Sequence, residues 1–245
     1  MLPARASDPG YPRAGLHGQI VHAIGRQILS GKIPPGELLP AQLGLPASRT
    51  ALREAIKVLA AKGLVECRPK TGTRVRPREA WNLLDPDVLA WQQEGAPPAA
   101  FLRKLTELRR VVEPAAAELA AQRAGIPQLA RMAAAFRDME AALDGEEDHD
   151  AFDQADMRFH LAILGGCRND LLQQMSHVVY SALLVSFQAT SRLAGRARAS
   201  LPRHRAILEA IQRRDPRRAS EAMRRLVQNT AREIESLPRR TRTRQ

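Results

Sequence analysis

Aromatic residues are scarce in this 245-residue chain, at 4%, and it has only two cysteines, Cys67 and Cys167. Two cysteines make neither a disulfide framework nor a metal knuckle of the paired-cysteine kind, so both are expected to be small buried hydrophobes. No apolar run approaches the roughly 18–20 residues that a bilayer span requires, and the first twenty residues lack an apolar signal core. These absences predict a soluble, cytoplasmic protein with no membrane partner. Negative charge is also in short supply. Asp and Glu number 26 against 38 Lys and Arg, giving a formal net charge of +12 at pH 7 and a sequence pI near 11.0. Such an excess points to a polyanionic partner. What the chain does have is apolar material: a 44% hydrophobic content is enough to bury a core, which excludes disorder throughout.

The positive charge is unevenly placed. Residues 1–80 carry 13 basic and 5 acidic side chains, whereas residues 81–238 balance 21 against 21. Arg239, Arg240, Arg242 and Arg244 supply the rest, in a tail (237–245) that reads as a loose solvated end. The asymmetry predicts one module that meets nucleic acid and one that does not.

Within the first module, residues 1–14 read as a flexible N-terminus. Leu16, Ile20, Ile24 and Ile28 then recur every four residues and predict a helix closing near Gly31. After a turn over residues 33–40, Ser48 is a candidate cap for a second helix carrying Leu52, Ile56 and Leu59 inward, with a stop at Gly63. Arg49, Arg53 and Lys57 lie on its polar side. Two short β-like runs, 64–68 and 73–76, flank Pro69-Lys70-Thr71-Gly72, a hairpin signal. Helix, helix and basic hairpin predict a winged helix-turn-helix over residues 15–78. In that arrangement the amino end of the second helix enters the major groove of double-stranded DNA, where Arg49 and Arg53 can each donate two hydrogen bonds to a guanine edge. Thr50 and the wing backbone around Gly72 are placed to hold phosphate or reach the minor groove, and Lys70 and Arg74 add sequence-independent attraction.

The runs Leu39-Pro40-Ala41, Ala47 to Ala55, Gly63 to Glu66 and Thr71 to Val75 resemble the DNA-reading head of the GntR family of bacterial transcription factors. The resemblance implies operator contacts for Arg49 and Arg53. The chain departs from the pattern between Leu39-Pro40 and Ser48-Arg49. About four residues are missing there, close to one helical turn of about 3.6 residues, which shortens the first helix of the helix-turn-helix and removes an arginine that meets DNA in the family.

Trp81, Leu84, Val88 and Trp91 share a helix face, with Asp85 as cap and Pro86 first, which predicts a linker helix within residues 79–98 docking the head onto the rest. After Gly95-Ala96-Pro97-Pro98 the pattern is helical throughout. Helices are expected over about 99–123, bent at Pro114, after Pro127, and over about 151–164, 170–192, 202–213 and 216–235. The fold class is therefore mainly α: a winged head with a small β-hairpin, then an all-α bundle of six to seven helices over residues 99–236.

Phe152, Asp156 and His160 form one stripe of the third bundle helix, beside Ala155, Phe159 and Ile163, which directs a carboxylate and an imidazole inward. A divalent metal satisfies such a pair, and so does a simple hydrogen bond between them. His204 is the candidate third ligand. Residues 107–114, 156–160 and 204–211 followed by Asp215 resemble the FCD effector domain of the FadR subfamily. That resemblance implies a divalent metal at Asp156, His160 and His204, zinc first, with nickel or manganese as alternatives. It also implies a carboxylate effector on Arg109, with Ser200 taken as a second effector-binding residue. A further family histidine falls at Leu226, so one ligand is absent; His177 has no counterpart among the ligands and is expected to be structural or exposed. The run Trp81 to Trp91 is similar to the linker of sugar-acid-responsive members and implies an aldonate such as galactonate. The leading expectation is a homodimeric repressor of a sugar-acid catabolic operon and not an enzyme. The alternatives are a ligand-sensing dimer with impaired DNA binding, and a metal-dependent enzyme acting on a sugar acid, which lacks an evident inward general base.

Overall fold

The computed structural model describes residues 10–12, 15–40, 48–68, 71–94, 99–145, 147–190 and 195–236. Lys70, the shortened segment at 41–47, residues 1–9 and the tail 237–245 lie outside the described residues. The chain divides into two compact units, Met1–Pro97 and Pro98–Gln245.

In the first unit, the apolar period of four makes α1 (Gly15–Leu29), with Ile20, Ile24 and Ile28 buried; Leu16, expected on the same stripe, is exposed where the helix begins. Ser48 caps α2 (Arg49–Ala61) by accepting from the Ala51 N–H at 3.2 Å. Leu59 goes to the core, while Leu52 and Ile56 are only partly covered. The chain leaves α2 through Gly63 at φ +77°, where an added Cβ would sit 2.4 Å from the Ala80 carbonyl oxygen, so only glycine fits. β1 (Val65–Arg68) and β2 (Gly72–Val75) pair antiparallel, with Val65 opposite Val75 and Arg68 opposite Gly72. The two valines anchor the wing in the core. By Cys67 the strand has left that core, so Cys67 is exposed, contrary to the expected buried thiol; Cys167 in the second unit is buried as expected.

Asp85 caps α3 (Pro86–Gln93), accepting from the N–H groups of Asp87 and Val88. This expected linker helix packs on α1 within the first unit. The Trp91 indole donates to His22 Nδ1 at 2.9 Å, and Trp81, Val88 and Trp91 are buried in the same cluster as Ile20 and Ile24. Lys62, after α2, pairs with Asp85 at 3.0 Å and Asp87 at 2.6 Å.

The second unit consists, among the described residues, of seven helices: α4 (Ala99–Arg123), α5 (Ile126–Ala141), α6 (His149–Gly166), α7 (Asp170–Gln173), α8 (Ser176–Thr190), α9 (Arg196–Gln212) and α10 (Pro216–Ser236). α4 packs against α6, α8, α9 and α10, and α5 covers α6 and α9. The face of α4 at Ala116, Ala117, Ala120 and Ala121 is wholly buried, and such small side chains let neighbouring helices approach closely. α4 continues as one helix through Pro114. The helix expected over 170–192 divides into α7 and α8. The one expected from Pro202 begins a turn and a half earlier, at Arg196: Pro202 forgoes one backbone bond inside α9, while Ala197, Ser200 and His204 bury along its face.

Candidate effector pocket and nucleic-acid interface

Five helices of the second unit, α4, α6, α8, α9 and α10, line the cavity at Asp156. Asp156 and His160, four residues apart on α6, point inward as their spacing predicts, and His204 reaches them from α9. All three are buried. His160 Nε2 lies 3.1 Å and His204 Nε2 3.2 Å from the same Asp156 oxygen, Oδ1. One ligand atom from each residue lies within 4.8 Å of the others. Phe159 stands edge-on to both imidazoles and closes the apolar side.

The outer nitrogens bear on the ring states. His204 Nδ1 is 3.0 Å from the Ser200 carbonyl oxygen, which can only accept, so Nδ1 carries the proton. His160 Nδ1 is 2.5 Å from Glu113 Oε2, a close ion-pair contact that lacks hydrogen-bond geometry. Two imidazole Nε2 atoms thus converge on one carboxylate oxygen, an arrangement that a proton or a cation between the groups satisfies. Carboxylate and carbonyl groups behind the imidazoles are the backing that metal-bound histidines use. The residues present thus fit a divalent cation.

Glu113, on α4, also accepts from Arg109 Nε at 2.5 Å; both side chains are 2% exposed. Burial alone would raise the Glu113 carboxyl, but the Arg109 and His160 charges outweigh it and bring its pKa down to about 2. Burial likewise opposes the Asp156 carboxylate, yet His204 and His160 hold it well below the usual range. For His160 burial disfavours the charge, and Glu113 with Asp156 reverses this, pushing the cation-free ring up to about 9. Glu113 carried no role in the sequence reading, although its position four residues after Arg109 marks an intrahelical ion pair.

Arg109, Asp156, His160, Ser200, His204 and Leu226 all line one narrow cavity of about 20 Å³, partly open to solvent. Leu226 lines the cavity from α10. A cation held by these three residues would keep coordination positions open for an incoming group. Half-buried His177 is not part of the cavity lining.

In the first unit, Arg49, Thr50 and Arg53 are exposed in the first turns of α2, and neither arginine makes an ion pair among the described residues. Lys57 is paired with Glu54 at 2.7 Å. Gly72 forms the wing turn at φ +89°, and Arg74 is exposed on β2 with its guanidinium donating to the Gly36 carbonyl.

A winged helix-turn-helix unit followed by a helical unit with a polar, partly open cavity defines a class, the DNA-binding transcriptional regulators that carry their own ligand-sensing domain. Residues 16–75 match the gntR family of bacterial regulatory proteins and residues 104–229 the FCD domain, so this chain belongs to the GntR family with an FCD domain. It is 35% identical over 225 residues to the galactonate operon transcriptional repressor of Escherichia coli K12, covering 89% of this chain and 96% of that one. It is 32% identical over 225 residues to the regulator Mce2R of Mycobacterium tuberculosis, covering 88% and 90%. The solved structure of Lar, which controls the Listeria monocytogenes agr system, shares the fold at 17% identity and a TM-score of 0.63, covering 93% of this chain and all of that one. The relatives are transcriptional regulators, not enzymes. FCD domains are known to bind metals, and the Asp156, His160 and His204 cluster is the candidate site. No helix among the described residues is long and apolar enough to cross a membrane.

Proposed function

We propose that this regulator is a cytoplasmic homodimeric repressor of a sugar-acid catabolic operon, released from its operator by a carboxylate effector of the aldonate class. Galactonate is the first candidate, because a 35% identical relative is named for the galactonate operon. The observation that carries the reading is the convergence of Asp156 Oδ1 and two oriented imidazole nitrogens in a cavity that Arg109 also lines. Asp156, His160 and His204 would hold a divalent cation, zinc first and nickel or manganese as alternatives. Bound there, the cation supplies a Lewis-acidic anchor for a carboxylate and its neighbouring hydroxyl. Arg109, with Nε given to Glu113, presents its remaining nitrogens to the carboxylate, and Ser200 lies on the same wall.

In the head, Arg49 and Arg53 read bases, while Thr50, Gly72, Lys70 and Arg74 serve backbone and groove contacts. Twofold pairing of the protein matches two half-sites of a short palindrome. Ligand acts through unequal affinity for the DNA-competent and free arrangements. Protein titrated onto its own upstream intergenic DNA, with and without aldonates, tests this directly. Retention at low salt that aldonate relieves is the expected result; no retention at low salt refutes it. The short segment between Pro40 and Ser48 favours one second reading, a ligand-sensing dimer with impaired DNA binding. Gain of operator binding on restoring the missing turn would support that reading over the first.

A further inference from the structure

The rest of the cavity lining has a chemistry of its own. Ser186 and Thr190 on α8, Ser200 on α9 and Thr230 on α10 place four hydroxyls along it. Each hydroxyl spends its proton on its own helix. Ser186 Oγ donates to the Ala182 carbonyl at 2.6 Å and Thr190 Oγ1 to the Ser186 carbonyl at 2.8 Å. Ser200 Oγ donates to the Ala197 carbonyl at 2.9 Å, and Thr230 Oγ1 to the Leu226 carbonyl at 3.4 Å. A hydroxyl whose hydrogen is committed offers only lone pairs. Glu233 adds a carboxylate to this acceptor wall, and its side chain makes no hydrogen bond or ion pair among the described residues. Arg203, also on the lining, has an equally unengaged guanidinium.

A simple hydroxy acid satisfies the carboxylate end and supplies one hydroxyl, which the cation site can take. It has no donor left for five acceptors farther along. A chain of hydroxyls does, and each can donate to a wall group. Resting on the reading of this cavity as an effector pocket, we infer that the α8 and α10 wall is a polyol subsite, with Glu233 as the residue that selects polyhydroxylated acids over short hydroxy acids. Arg203, on the same cavity lining, adds positive charge that offsets the Glu233 carboxylate for an anionic ligand.

The test is calorimetric titration of the full-length protein with D-galactonate, D-gluconate and L-lactate, on the wild type, Glu233→Leu and Glu233→Gln. Glu233 is half-exposed on α10, so neither change disturbs the core. The wild type is expected to bind at least one six-carbon acid more tightly than lactate. Glu233→Leu should weaken that acid roughly 10- to 100-fold, the usual scale of a hydrogen bond to a charged group, and leave lactate within about twofold. Glu233→Gln, which keeps an acceptor, should lose less. Lactate binding as tightly as the six-carbon acids, or Glu233→Leu changing neither ligand or both alike, overturns the polyol subsite and leaves the acid pocket standing. Failure of every acid to bind overturns the pocket reading itself, and this inference with it.

Discussion

Glu113 is the buried hinge of the site's electrostatics, and its neutralisation should be expensive. Its carboxylate sits 2.5 Å from both Arg109 Nε and His160 Nδ1, all within side chains at most 2% exposed. Glu113→Gln keeps the shape and removes the charge, leaving the Arg109 guanidinium buried without a counterion. Breaking a buried pair in this one-sided way costs about 3–5 kcal/mol, whereas replacing both partners by apolar residues is often neutral. For a unit of this size about 1 kcal/mol moves the midpoint by roughly 2–4 °C, so the expected fall is on the order of 6–20 °C. Thermal unfolding followed by circular dichroism on metal-free protein reads it. A second variant separates charge from packing: Arg109→Met combined with Glu113→Gln should be more stable than Glu113→Gln alone. A loss below about 1 kcal/mol for the single variant, or strict additivity in the pair, would refute the account, because interacting groups must couple.

Three further outcomes follow from the first unit. Gly25→Ala should destabilise by about 1–3 kcal/mol in urea unfolding, because the new Cβ would lie 2.5 Å from the Trp91 ring; the gain of about 0.5–1 kcal/mol usual for this change in a helix would contradict the packing. Arg49→Ala and Arg53→Ala should each weaken operator binding by about 1–3 kcal/mol in anisotropy titrations, with a smaller loss on unrelated DNA; equal losses on both would count against base reading. Burial opposes the Lys62 ammonium, but Asp87 and Asp85 outweigh it and raise its pKa above the ordinary 10.5. That stabilisation is fully present below about 10.5 and disappears as pH rises through the raised value. The gap in melting temperature between wild type and Lys62→Met should therefore narrow above pH 10.5, and a widening gap would oppose it.

The apolar periods of α1, α4 and α6 were legible because one face of each helix is covered and the other is wet. The caps Ser48 and Asp85 were legible because their side chains satisfy free amide groups in a local pattern. Asp156 and His160 could be placed together by spacing alone, and His204 could be named as a candidate third ligand, but no local rule brings it to the same oxygen. Glu113 shows what spacing misses. Its role depends on α4 and α6 meeting, which is tertiary information. Pro202 misled for a related reason, since burial of Ala197 and Ser200 outweighs the hydrogen bond that proline removes. The break between α7 and α8 has no strong local signal, because Gln174 and Met175 are ordinary helix formers. Cys67 reversed expectation because a wing strand leaves the core within two residues of Val65.

The central claim is that acid in the FCD cavity and DNA on the head are linked in one molecule. Anisotropy of a labelled upstream intergenic fragment, titrated with wild-type protein at fixed salt with and without saturating D-galactonate, measures that linkage directly. The account predicts that galactonate weakens DNA binding at least fivefold, the low end of ordinary allosteric coupling, and that bound DNA weakens galactonate binding by the same factor. Tight DNA binding that is unchanged while calorimetry shows galactonate bound would contradict it.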